Sequence, residues 1–185
     1  GRTFTSHRKF PKQWKVNSFI GSHQIAVQFH YFQVVNCLQS CWAYFIIGQN
    51  LVPNPGFEDT LGCPYTYAHL GYTSEWFNPT ASSPDYFHEC SRKAGVPGNV
   101  FGKQDAYEGQ AYAGLVTFTS GKRDYREYLQ IKLDRPLTAG EVVCVEAQLS
   151  PADMSLFVTD GFGMYFSSGM FKQGNQKVIS RKTQV

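Results

Sequence analysis

His88-Glu89-Cys90 sets an imidazole, a carboxylate and a thiol side by side, the donor types that hold zinc. Neighbours in a strand point to opposite faces, however, so the stretch reads instead as a loop with one disulfide-capable cysteine. Cys37 and Cys41 form a CxxxC without partner histidines, and none of the five cysteines forms a CxxC. Asp85, Glu89, Asp105 and Glu108 fall in one loop-rich region and could supply the carboxylate pair of glycoside hydrolysis. Scattered acids are also what any acidic domain presents to water. His7, His23 and His30 precede residue 50, which leaves His69 and His88 in later loops. The chain has no GxxxxGK[ST] phosphate loop, no GxSxG elbow and no HExxH helix. Nothing combines nucleophile, base and orienting group, so the chain reads as non-catalytic.

Binding chemistry is better represented. Trp76, Phe77, Tyr86, Phe87, Tyr107 and Tyr112 share a loop-rich region with Asp85, Asn99, Gln104 and Asp105. Sugars stack their C–H faces on aromatic rings while polar side chains take the hydroxyls. Tyr86, Tyr107, Trp76, Asp85, Asn99 and Gln104 are therefore the candidate ligand-binding residues. The same rings could instead plug the end of a sandwich, and the residues flanking Trp76 suggest a buried anchor.

The elements that would position these groups are strands. The 185 residues suit one domain, with 16% aromatic and 17% charged residues, a balance that favours a pleated, half-buried surface over a helical bundle. Turn signals (PNPG, LGCP, NPTASSP, GVPGN, TSGK) break the chain into short segments after residue 50. Pro53 and Pro55 remove two backbone donors, so NLVPNPGFE at 50–58 reads as an edge strand entering a turn. Residues 111–119 form a nearly apolar run. In 125–133, Leu129, Ile131 and Leu133 alternate with Arg126, Tyr128, Gln130 and Lys132, and in 142–150 Val143, Val145, Ala147 and Leu149 share a face. Residues 155–167 make a further apolar stretch, with Gly161 and Gly163 suggesting a bulge. Short strands with turn signals between them and almost no helical period predict an antiparallel, all-β sandwich.

Charge divides the chain. Residues 1–49 carry five basic residues and no acid, residues 50–169 carry eight basic and fourteen acidic residues, and the last sixteen add four basic residues. The basic ends are too sparse to form a nucleic-acid footprint. The order within 1–49, basic and then apolar-leaning (VVNCLQSCWAYFIIGQ, 34–49) ending near Gly48, is that of an export signal. Asn36, Gln39 and Ser40 interrupt it, and no run of ~20 apolar residues could span a membrane. Residues 1–49 are thus expected to be an extension or degenerate signal-like segment, and 50–185 the folded module. If the protein is exported, Cys63 and Cys90, both in loop-like sequence, are the pair expected to be bridged.

In collinear order, NLVPNPGFE, Cys63-Pro64, EWFNPT (75–80), SPDYFHEC (83–90), GVPGNVFGKQDAYEGQAYAGL (95–115), YREYLQIKLDRPLTAGE (125–141) and LSPADMSLFVTDGFGMYFS (149–167) resemble one exported module. It is found in cell-surface proteins of Bacteroidota, before outer-membrane-protein-A-like, peptidoglycan-associating domains or in gliding-motility-associated secreted proteins. NLVPNPGFE is also similar to the first strand of CenC-type carbohydrate-binding jelly rolls. The resemblance implies a jelly-roll-like sandwich, export to the outer membrane or cell surface, and a glycan or envelope polysaccharide as partner. Outer-membrane association would come through downstream domains. The alternatives are a structural or adhesive module positioning a peptidoglycan-associating domain, or an accessory part of a glycoside hydrolase. The resemblance further implies a structural calcium ion at Glu58, joined by Asp160, where the plainer reading is a solvated acid at a strand end. The family runs on past the position of Ser167, whereas here the similarity fades into MFKQGNQKVISRKTQV, so the sandwich is expected to be incomplete at its C-terminal end.

Overall fold

The computed structural model describes residues 2–7, 23–34, 50–119, 124–139, 143–155 and 162–183. The described residues are all-β. Nine strands are formed: β1 (Arg2–His7), β2 (His23–Val34), β3 (Trp76–Phe77), β4 (Asp85–His88), β5 (Gly98–Asn99), β6 (Gly102–Lys103), β7 (Ala111–Phe118), β8 (Gln130–Ile131) and β9 (Val143–Pro151). A single 3-10 turn at Leu70–Tyr72 is the helical element among them, and no helix there is long and apolar enough to cross a membrane.

Five strands make an antiparallel sheet in the order β1-β9-β2-β7-β4, and β3–β8 and β5–β6 are separate two-stranded ribbons. The alternation read in 142–150 sets β9, with Val143, Val145 and Ala147 all buried. β7 is the apolar run at 111–119, in register with β4 through Tyr86↔Ala113 and Phe87↔Tyr112. The two strands within residues 1–49 pair with strands of the body, β1 with β9 and β2 with both β7 and β9. The rest of that segment, Cys37 and Cys41 included, lies outside the described residues, as does Asp160.

The main core lies between this sheet and a layer that is mostly not strand. Tyr86, Ala111, Ala113, Val143 and Val145 come from the sheet, and Leu51, Val52, Phe57, Leu70 and Trp76 from the opposing segments. Leu129, Ile131 and Leu133 pack onto the core as their alternation predicts, although the ladder in 125–133 shrinks to the two residues of β8. Met164 and Phe166 pack there too, from residues that form no strand. Because successive side chains in a strand face opposite ways, Phe87 and Tyr112 point to the far side of the sheet, where Ala94, Val96, Phe101 and Ala106 cover them. Both faces of β4 and β7 are therefore covered, which accounts for four consecutive buried residues in β4.

NLVPNPGFE differs from its expected form. Beyond a bridge at Asn50 it is a chain of turns, with Leu51, Val52 and Phe57 fully or almost fully buried. Asn54 and Phe57 have φ of 45° and 64°, a left-handed conformation incompatible with a strand and tolerated well by asparagine. Asn54 then acts as the hub of the turn. Its side-chain amide donates to the carbonyls of Asp59 and Ser74, its Oδ1 accepts from the Asp59 N–H, and its carbonyl accepts from Trp76 Nε1 at 2.8 Å.

Candidate functional site

Half of the six sequence-predicted ligand residues are interior groups. Trp76 is stacked on Phe57 with centroids 4.7 Å apart and donates its indole N–H to Asn54, so it is the anchor of the turn rather than a platform. Tyr86 is 0% exposed and donates its hydroxyl to the Phe57 carbonyl at 3.0 Å. Burial pushes its phenol up to about 12. Asp85 is buried, and its Oδ1 accepts the Ala68 N–H at 2.5 Å. None of these three can offer a face to a ligand, because a ring or carboxylate enclosed by core atoms has no surface to present. Gln104 bridges two segments, its Oε1 accepting from Ser150 Oγ and its Nε2 donating to the Asp105 carbonyl. Tyr107 is exposed. The six residues do not form one platform.

Asn99 alone among them lines a groove. This depression, about 520 Å³, lies between the loop carrying Thr66 and Tyr67 and the segment from Arg92 to Gly102. Tyr67, 52% exposed, makes an edge contact with Phe101, which meets Phe87 edge-on beneath it. Asn99 is already committed: its Nδ2 donates to the Gly95 carbonyl and to the Tyr112 hydroxyl, and its Oδ1 accepts the Phe101 N–H. It holds the groove wall in shape and leaves Tyr67, Arg92 and Lys93 to face outward. Arg92 and Lys93 are both exposed.

The walls are braced covalently. Cys63 and Cys90 form a disulfide that closes 27 residues of sequence, with Cα atoms 6.0 Å apart. It ties the Tyr67 loop to the start of the Arg92–Lys93 turn. That turn is fixed by the Cys90 N–H donating to His88 Nδ1, the Ser91 N–H to the His88 carbonyl, and the Ala94 N–H to Ser91 Oγ. Gly95 is required here, since a Cβ would lie 2.7 Å from both the Ser91 and Gly98 carbonyl oxygens. His88 and Cys90 are thus engaged in the backbone turn and the disulfide, and among the described residues no three metal-ligating side chains gather.

Glu58, the calcium candidate, accepts the Gln110 and Ala111 N–H groups at 2.9 and 3.1 Å and so joins the first turn to the start of β7. The residue it crosses is Gly109, with φ of 67°, where a Cβ would come within 2.3 Å of the Glu58 carboxylate. These charge-assisted bonds hold the exposed Glu58 carboxylate across the turn.

The burial of Glu127 and of the Nδ1 of half-buried His69 was not legible in the sequence. Glu127 is 5% exposed and accepts from Val116 N–H at 2.8 Å, Tyr125 hydroxyl at 2.5 Å, and the N–H and hydroxyl of Ser83 at 3.3 Å. Burial pushes its carboxyl up from the ordinary value, against these donors, which pull it down. His69 sits between Tyr65 and Tyr72 with centroids at 4.2 and 5.0 Å, and its Nδ1 is the one buried side-chain polar atom without a partner among the described residues. A residue's burial cannot be read from its type when the type is as ambivalent as Tyr, Glu or His.

Against known proteins, the chain matches no family model, no curated protein and no solved structure. Function therefore rests on the groove and the residues around it.

Proposed function

We propose that the chain is a non-catalytic binding module of an exported, cell-surface or outer-membrane-associated protein, similar to the Bacteroidota modules and CenC-type jelly rolls, and that its ligand is a glycan or envelope polysaccharide. The observation that carries this reading is an exposed tyrosine, Tyr67, on the wall of a groove braced by a disulfide. A rigid, half-exposed ring beside hydrogen-bonding side chains is what a sugar face stacks on. The disulfide favours an oxidising compartment, in keeping with export. An array of glycans probed with the intact chain should show binding that Tyr67→Ala abolishes and Tyr107→Ala spares. Absence of binding to every glycan would sink the reading.

A second reading, a structural or adhesive module that positions an envelope-anchoring domain, is favoured by one observation: Trp76, Tyr86, Phe87 and Tyr112, four of the six aromatics read as a sugar platform, are buried. On that reading Tyr67→Ala changes nothing measurable on any glycan.

A further inference from the structure

The groove is more basic than the body around it. Residues 50–169 hold fourteen acids against eight bases, yet two adjacent cations, Arg92 and Lys93, line the groove together with Tyr67. Among the described residues, neither side chain makes an ion pair or a hydrogen bond. Their backbone is nevertheless held firmly, two and three residues beyond the bridged Cys90 and just before Ala94 and Gly95, which are buried. Two exposed cations on a braced turn and a half-exposed aromatic ring thus line the same groove.

We propose that this groove takes an acidic polysaccharide, with Tyr67 stacking on a sugar face while Arg92 and Lys93 hold its carboxylate or sulfate groups. The proposal deepens the glycan reading and rests on it. Arg92 offers a planar fork that matches a carboxylate or sulfate with two parallel hydrogen bonds, and Lys93 adds a mobile point charge. Asn99 and the Gly98–Lys103 ribbon serve only as the wall, because the Asn99 amide is fully committed inside. Specificity therefore falls to charge on one side and stacking on the other. A neutral glycan could use the ring alone.

The test is a titration of the full chain, disulfide intact, with polygalacturonate, with a sulfated galactan, with neutral galactan and with duplex DNA. Acidic glycans should bind, more weakly as salt rises, and Arg92→Ala/Lys93→Ala should weaken them about tenfold or more. Arg92→Lys should recover part of the loss. The double variant should melt at the same temperature as the parent, since both side chains are exposed. Equal binding of acidic and neutral galactans, unmoved by the double variant, would overturn the charge assignment and leave the glycan reading standing. Silence with every glycan would overturn both. DNA binding tighter than any glycan, lost in the double variant, would assign the groove to a phosphate polymer and also overturn both.

Discussion

Two sets of aromatic side chains have opposite fates in this molecule. Phe57, Trp76, Tyr86, Phe87 and Tyr112 are enclosed by the sheet and its covering segments, whereas Tyr65, Tyr67 and Tyr107 are 67%, 52% and 56% exposed. The difference follows from the backbone beneath them. Tyr86, Phe87 and Tyr112 stand on paired strands whose two faces are both covered, and Trp76 is drawn inward by its bond to Asn54. Tyr65 and Tyr67 stand on the loop that leaves Cys63 and returns through Leu70, where no sheet face exists to receive them. The first set therefore holds the fold together, and the second stands open to solvent, Tyr67 among it as the proposed sugar contact.

The sharpest way to break that distinction is Trp76→Ala. Loss of the Phe57 stack and of the Asn54 bond should destabilise the fold by about 3–5 kcal/mol, read as a collapse of the denaturant midpoint; a near-normal midpoint would make Trp76 a surface ring after all. Next, opening the bridge with Cys63→Ser/Cys90→Ser should remove about 3–4 kcal/mol on a chain-entropy estimate for a loop of this length. It should also loosen the Tyr67 loop from the Arg92 turn, so glycan affinity should fall together with stability. Reduction of the parent by dithiothreitol should reproduce both effects.

Glu127 sharpens the comparison from the core side. Its folded carboxyl is raised by burial, so the folded state holds its proton more tightly than the unfolded chain does. The stabilisation is complete below the unfolded pKa and is lost as pH rises through the folded value. Unfolding of the parent and of Glu127→Gln, compared between pH 4 and pH 7, should show the parent losing ground to the amide as pH rises. A difference independent of pH would show that Glu127 does not titrate with folding. The smallest effect belongs to the exposed set: Tyr67→Ala should change stability by no more than ~0.5 kcal/mol, although it removes a ring of the same kind as those in the core.

The strands at 111–119 and 142–150 were legible because apolar alternation and bounding turns act locally. The inward face of Leu129, Ile131 and Leu133 was legible for the same reason, but its ladder was not, since pairing with Trp76–Phe77 depends on a partner more than fifty residues away. NLVPNPGFE carried the marks of a turn in its prolines, yet nothing in it announced that Asn54 and Phe57 would both adopt positive φ. The groove was the least legible feature. Tyr67 and Arg92 are separated by a stretch that the Cys63–Cys90 bridge folds back on itself, and spacing along the chain does not report such closure. The trio His88-Glu89-Cys90 marked the right neighbourhood for a different reason, since it begins the turn on which the cations stand.

Tyrosine nitration with site-by-site mass spectrometry, with and without polygalacturonate, tests the central distinction most directly. The phenols of Tyr86 and Tyr112 are pushed up to about 12 by burial and should resist nitration throughout. Tyr65, Tyr67 and Tyr107 should react in the free protein, and the glycan should protect Tyr67 alone among them. Nitration of Tyr86 in the folded protein would contradict the division between an enclosed and an exposed set, and a Tyr67 that reacts equally with and without the glycan would contradict its proposed sugar contact.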